Sequence, residues 1–310
     1  MDEETRKEEP VAPQNVKSPL DKVLEAPEDM LIPFESVTLP SEGLYYDNMV
    51  PGGRIEVRPM GMYAEKVLAN QRLAKSGKSI DWLIRKCVKF PNPDFDPANL
   101  LVGDRVFILY YLRGISYGNE YEFTLTCPNQ NCGASNVYVY DLNELASTIV
   151  RPNPDLGQEP FKVKLPYFSD FVKEDFWVEV RFMRSYDLQV ILDGRADGGR
   201  RRAIGHVNAA KTHKGSKQKQ QDINFTEVAN ELVAESVSML IHSVMGDTDR
   251  VSITKIVNKM QSQDTSAIRK FLKDNAPGID TKIEVTCSKC EQNIIAELPI
   301  TETFFRPEGT

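Results

Sequence analysis

The apolar positions of this 310-residue chain change period several times, and each change marks an element. Arg54-Ile55-Glu56-Val57-Arg58 alternates with period two, the pattern of a half-buried strand. Turn residues Pro40, Gly43 and Gly52-Gly53 punctuate the stretch before it. The spacing then becomes helical. One helix is expected over about 62–74, stopped by Gly77. A second follows Ser79 as N-cap, with Ile80, Leu83, Ile84, Cys87 and Val88 at i, i+3, i+4, i+7 and i+8. That spacing puts Cys87 on a buried face as a small core hydrophobe. A third helix is expected over 106–113, capped by Asp104 and ended by Gly114.

Segments 120–126 and 137–141 predict two strands joined by a cysteine turn. Segments 161–165 and 176–183 alternate and predict a hairpin or sheet edge. After Asn224 a stripe of Phe225, Val228, Ala229, Leu232, Ser236, Met239, Leu240 and Val244 predicts a long helix that Gly246 ends. Shorter helices are expected near 253–260 and 265–273. Strands at 282–286 and 294–298 again flank a cysteine pair. The fold class is therefore α+β: N-terminal strands and helices, a central β-hairpin, a C-terminal helical segment, and two distant β-hairpins that a metal joins. The segments are 1–30, 31–150, 151–193, 194–224, 225–280 and 281–310.

Charge is unevenly spread. Of the net −7, a net −5 lies in residues 1–30, which hold nine acids against four bases, four prolines and no aromatic. Such a segment buries too little apolar area to offset ordering entropy and is expected to be a flexible tail, or else a docking peptide. The remaining chain is nearly neutral, so no global field draws nucleic acid or anionic lipid. Residues 194–221 are the exception, with eight bases including Arg200, Arg201 and Arg202 against one acid, Asp197, before the end. They predict a mobile basic loop, a contact for an acidic partner, or, least supported because no aromatic is interleaved for stacking, a nucleic-acid contact. The longest uncharged apolar run, 236–246, is far short of the roughly 20 residues that span a bilayer, and no charged-then-apolar leader opens the chain. Membrane insertion and secretion are not expected.

The five cysteines carry the chemistry. Tyr121-Glu122-Phe123-Thr124-Leu125-Thr126-Cys127 leads through a short loop to Cys132-Gly133 and Asn136-Val137-Tyr138-Val139-Tyr140. Thr281-Lys282-Ile283-Glu284-Val285-Thr286-Cys287 leads to Cys290 and Asn293-Ile294-Ile295-Ala296-Glu297. Each is a strand, a cysteine turn and a strand, with Thr before the first cysteine. Two hairpin tips can supply four soft thiolates to one tetrahedral ion, for which zinc suits better than iron. Cys127, Cys132, Cys287 and Cys290 are the expected ligands of a zinc ribbon. The first spacing is C-x4-C, and Glu291 stands where the first turn has Gly133. A redox role for Cys287-Ser288-Lys289-Cys290 is disfavoured, because such motifs open a helix and this one joins strands. A site filled by four protein ligands leaves no position for a reacting water, so the metal would be structural. His206, His213 and His242 are scattered, and no phosphate-loop, dinucleotide, zincin or serine-hydrolase motif occurs. No catalytic or cofactor-binding residue is predicted.

Taken in order, Thr38-Leu39-Pro40-Ser41-Glu42-Gly43-Leu44-Tyr45-Tyr46, Ile55-Glu56-Val57-Arg58-Pro59-Met60, the 80–88 helix and Ile115-Ser116-Tyr117-Gly118-Asn119-Glu120-Tyr121-Glu122-Phe123 into Thr126-Cys127-Pro128 resemble the T4-type baseplate hub and assembly proteins of contractile-tailed bacteriophages. The resemblance covers 36–150 well and runs more loosely through 161–192 to Thr303-Phe304-Phe305-Arg306-Pro307. The acidic tail and the basic stretch have no counterpart in it. It implies a non-enzymatic role in building the tail baseplate, either as a virion component or as a factor needed only during assembly in host cytoplasm, with other phage tail proteins as partners and no small-molecule substrate. The alternative is a zinc-ribbon nucleic-acid-binding protein using 194–221. Tyr117, Tyr121, Tyr138, Tyr140, Phe304 and Phe305 either pack together or face a neighbour. Tyr140, Phe304, Phe305 and Arg200–202 are the candidate partner contacts.

Overall fold

The structure, a computed structural model, describes residues 23–25, 32–68, 78–191, 237–300 and 302–305. The chain divides into two units, Met1–Phe34 and Glu35–Thr310. Of the first, residues 23–25 form a helical turn. The expectations for the acidic tail, for the basic stretch with Arg200, Arg201 and Arg202, and for 225–236 lie otherwise outside the described residues.

In the second unit, β1 (Glu35–Thr38), β2 (Arg54–Val57) and β3 (Val88–Lys89) form an antiparallel sheet with β2 at its centre. Helices α1 (Met62–Leu68) and α2 (Lys78–Cys87) lie between β2 and β3 in sequence. The period-two and i/i+4 patterns both hold, since Ile55 and Val57 face inward with Ile80, Leu83, Ile84 and Cys87.

The long helix α3 (Val102–Tyr117) departs from expectation at both ends. Gly118, not Gly114, ends it. Asp104 is not its cap. It lies in the first turn, fully buried, and its carboxylate accepts the Ser41 N–H (2.9 Å) and the hydroxyls of Ser41 and Tyr46. Tyr46 in turn accepts the Leu101 N–H at 2.9 Å. The turn-rich stretch before β2 is thus pinned to α3. Burial pushes the Asp104 carboxyl up to about 6, against the pull of its hydrogen bonds.

Strands β4 (Glu120–Thr126) and β5 (Ser135–Asp141) form the first cysteine hairpin, and β11 (Lys282–Thr286) with β12 (Asn293–Glu297) the second. Two-residue strands β6 (Ile149–Val150) and β10 (Gly278–Ile279) pair with each other. Strands β7 (Phe161–Lys164) and β8 (Trp177–Val180) flank the short helix α4 (Pro166–Val172). The expected long helix over 225–246 is corrected: Val237–Leu240 is the short helix α5, and Ile241–Val244 is a strand, β9, on the β8 edge. Ile241 lies opposite Val180 and Val244 opposite Val178. The β-branched Ile241 and Val244 gain more from this cross-strand pairing than from continuing a helix. Helices α6 (Arg250–Val257) and α7 (Ser262–Asn275) follow, with α7 against α4 and β7.

The C-terminal stretch is fastened to the N-terminal half. The Tyr110 hydroxyl donates to the Leu298 carbonyl at 2.6 Å, and Tyr121 to that of Pro299 at 2.9 Å. Phe304 stands edge-on to Tyr110 and Tyr121, with ring centroids 5.1 and 4.9 Å apart. Gly103 of α3 meets the turn before β10 so closely that a Cβ there would lie 2.0 Å from the Pro277 carbonyl oxygen.

Candidate metal centre

The two hairpins carry their tips to one place. The Sγ atoms of Cys127, Cys132, Cys287 and Cys290 all lie within 4.8 Å of one another. Across the hairpins, Cys127 is 3.6 Å from Cys290 and Cys132 is 3.9 Å from Cys287. A tetrahedron of sulfurs around an ion with metal–sulfur bonds of about 2.3 Å has edges of about 3.8 Å. The four thiols therefore fit one metal ion. None is in a disulfide. Among the described residues this is the one group of three or more His, Cys, Asp or Glu side chains with ligand spacing. Cys87, the fifth cysteine, is buried on α2, and burial pushes its thiol up to about 11.

Both tips are built alike despite unequal spacing. Gly133 donates its N–H to the Asn129 carbonyl at 3.0 Å, and Glu291 to that of Cys287 at 2.9 Å, each closing a turn four residues back. Gly133 and Glu291, each directly after the second cysteine of its pair, have φ of 53° and 56°. Left-handed backbone costs a non-glycine residue roughly 1–2 kcal/mol, so Glu291 sits there under constraint. The two positions thus share one backbone conformation although one is glycine and the other glutamate. Each turn is also clamped where it leaves its strands: Cys127 N–H reaches the Ala134 carbonyl at 2.8 Å and Cys287 N–H that of Gln292 at 3.0 Å.

Polar neighbours orient the sulfurs. Buried Asn136 donates to Cys287 Sγ at 3.4 Å, and its Oδ1 accepts the Ser288 hydroxyl. Asn129 Nδ2 lies 3.9 Å from Cys290 Sγ. Backbone N–H groups of Cys290 and Lys289 hold the Cys287 thiol down to about 6. The Asn129 N–H pulls Cys127 down as well, but burial and the neighbouring sulfurs outweigh it and push that thiol up to about 12. Cys132 is raised by the same balance, against the pull of the Ala134 N–H. The lowered Cys287 thiol favours its thiolate, and metal binding must expel protons from the raised thiols of Cys127 and Cys132. Sequence reasoning did not single out Asn136. It shares the inward face of β5 with Tyr138 and Tyr140, and a lone amide at an inward position was the available signal.

The aromatic candidates separate. Phe304 and Phe305 are 0% and 3% exposed, and each packs on the other within the chain, so the expectation that they face a partner is corrected. Tyr121 is buried too, while the Tyr138 hydroxyl donates to the Thr286 carbonyl at 3.2 Å and links the hairpins. Tyr140 is half-buried, and burial with nearby Glu144 and Asp141 raises its hydroxyl. Two surface clefts, of about 810 and 540 Å³, are lined by none of the four cysteines. No helix among the described residues is long and apolar enough to cross a membrane.

The fold is mixed, with small antiparallel sheets and a four-thiol cluster that brings distant segments together. The sequence matches the family model described as T4 bacteriophage base plate protein over residues 44–306, most of its length, and the chain belongs to that family. It is a phage baseplate component, which places it in the virion tail among other tail proteins. No curated protein and no solved structure matches it.

Proposed function

We propose that this protein is a non-enzymatic component of the hub region of the baseplate, assembled in host cytoplasm, in which one structural zinc ion locks the β4–β5 hairpin to the β11–β12 hairpin. The observation that carries this reading is the convergence of four thiols from turns more than 150 residues apart, with sulfur spacings suited to a closed tetrahedral ion. Zinc is favoured over iron because four thiolates satisfy it without redox chemistry. All four ligand positions come from protein, so the ion shapes a surface and activates no water. The segments 1–30 and 194–224 supply charged contacts to neighbouring tail proteins, with Arg200, Arg201 and Arg202 meeting an acidic surface and Tyr140 a smaller contact beside the hairpins. The nucleic-acid alternative draws no support from the ribbon, whose β4–β5 surface is acidic at Glu120, Glu122 and Asp141.

Purified protein is expected to carry one zinc per chain by elemental analysis. Phage lacking the gene should be complemented by the wild-type chain and not by Cys127→Ser. Metal-free protein that still complements, or iron in place of zinc, would remove this reading.

A further inference from the structure

We propose that the outer face of the β4–β5 hairpin is the docking surface for the basic segment 195–219 of a second copy of this chain. The idea deepens the reading of Arg200–202 as a partner contact by naming the acidic surface they meet.

Alternation along the hairpin sends Tyr121, Phe123 and Asn136 inward and leaves Glu120, Glu122, Thr124, Thr126, Ser135, Val137, Val139 and Asp141 exposed. Val137 and Val139 are 61% and 64% exposed, although both lie mid-strand where a β-branched residue ordinarily packs. The register places Val139 opposite Glu122 and Val137 opposite Thr124, so the valines adjoin in the middle of the face. At its end, Glu120 lies directly opposite Asp141, and like charges in that relation destabilise a sheet. Nothing local relieves them. No lysine or arginine occurs between Arg113 and Arg151, and among the described residues none of the three carboxylates has an ion pair. An exposed strand face with an aliphatic centre and an anionic end calls for an occupant with the opposite arrangement of charge and some aliphatic surface.

The chain carries that occupant. Arg200-Arg201-Arg202 is followed at once by Ala203-Ile204, with Val207 three residues on, and five more bases lie between 195 and 219. Three adjacent guanidinium groups suit three carboxylates, and Ile204 with Val207 suit Val137 and Val139. The segment is attached at Ile191 and Val237, and the 45 residues between them can extend to roughly 150 Å, ample to reach a neighbouring molecule. Each copy would present both halves of the contact on different parts of its surface. Association is then head to tail, a geometry that repeats until it closes into a ring.

The test is sedimentation velocity on the full chain at ~0.05 M and ~0.5 M salt, across which the screening length falls from about 14 Å to about 4 Å. Wild type should sediment as a dimer or larger at low salt and as a monomer at high salt. A face variant (Glu120→Lys, Glu122→Lys, Asp141→Asn) and a segment variant (Arg200→Glu, Arg201→Glu, Arg202→Glu) should each be monomeric at both. Asn at 141 can still accept the Asn143 N–H that Asp141 accepts, which keeps the following turn intact. An equal mixture of the two variants should associate again, because the face variant retains the basic segment and the segment variant retains the acidic face. A monomeric wild type, face variants that associate as wild type does, or a mixture that stays monomeric would each overturn the proposal. Zinc content and complementation are read separately, so failure here leaves the baseplate reading standing.

Discussion

Replacing one cysteine of the cluster should cost as much as replacing two from opposite hairpins. Cys127 and Cys290 are 163 residues apart, and closing a loop of that length costs about 4–5 kcal/mol by chain statistics if nothing else holds its ends. Here other contacts do hold them. Tyr110 to Leu298, Tyr121 to Pro299 and the buried Phe304 already join the roots of the two hairpins. The ion therefore orders the tips only, and its contribution is set by mass action: about 2.7 kcal/mol when free zinc is a hundredfold above the dissociation constant. Cys127→Ser and Cys287→Ser should each lose the ion and about 3 kcal/mol under those conditions. The double variant should lose the same, not about 6, giving a coupling close to the whole effect. Urea unfolding at fixed free zinc measures the cycle, with metal content determined on each variant. Hydrogen exchange locates the loss. The Cys127 and Cys287 amides, bonded to Ala134 and Gln292 carbonyls, should lose protection, while the Leu298 amide on Thr281 should keep it. Additive single effects, a single variant that retains the ion, or loss of protection at Leu298 would refute the reasoning. The last outcome would mean that loss of the metal frees the far hairpin altogether, as the ligand separation taken alone suggests.

Further outcomes follow from single positions. Phe304→Ala should destabilise by roughly 3–5 kcal/mol in the same urea assay, since it empties a fully buried site ringed by Tyr110, Tyr121 and Phe305, and normal stability with a defect in assembly alone would return it to an interface. Glu291→Gly should gain about 1 kcal/mol by relieving the left-handed backbone at φ 56° with zinc content unchanged, and a loss of stability would count against that strain. Asp104, held up to about 6 in the fold against an ordinary 3.8, disfavours folding when ionised. Stability should therefore rise as pH falls from about 6 to about 4, by on the order of 3 kcal/mol from this group, and Asp104→Asn should flatten that part of the profile. Apparent zinc affinity should fall as pH is lowered through neutrality, because the raised Cys127 and Cys132 thiols must release protons to bind, and competition with a chromogenic chelator at several pH values reads it.

Much of the cluster was legible in the chain because its information is local. Each cysteine turn sits between alternating strands that sequence periodicity resolves, and the parallel of Thr126-Cys127 with Thr286-Cys287 suggested that the two halves belong together. What escaped was everything that depended on a distant partner. Asp104 has the form of a cap by spacing, yet its carboxylate serves Ser41 and Tyr46, about sixty residues upstream. Met239, Leu240 and Val244 satisfy a helical stripe equally well, and only the free edge of β8 decides for a strand over Ile241–Val244. Phe304 and Phe305 follow a hairpin in a short C-terminal stretch, where aromatics read equally as surface anchors or as a plug. Tyr110 on α3, nearly two hundred residues earlier, decides for the plug.

These three departures share a consequence for how the molecule works. In each, a residue distant in sequence completes a feature begun elsewhere, and Phe304 does so across the body from Glu35 onward, which is joined there as well as at the sulfur cluster. Two fastenings of different chemistry then divide the labour. The aromatic plug and its hydrogen bonds involve no cysteine, so they should hold with or without metal, and an ion in the thiol cluster would fix only the hairpin tips beyond them. A surface whose root is permanently anchored and whose tip is set by an ion can be finished late, after the chain has folded and met its neighbours. On this argument chelation after assembly should leave tails intact where chelation beforehand blocks them, because the neighbours on the finished hairpin face take over the ordering that the ion supplied.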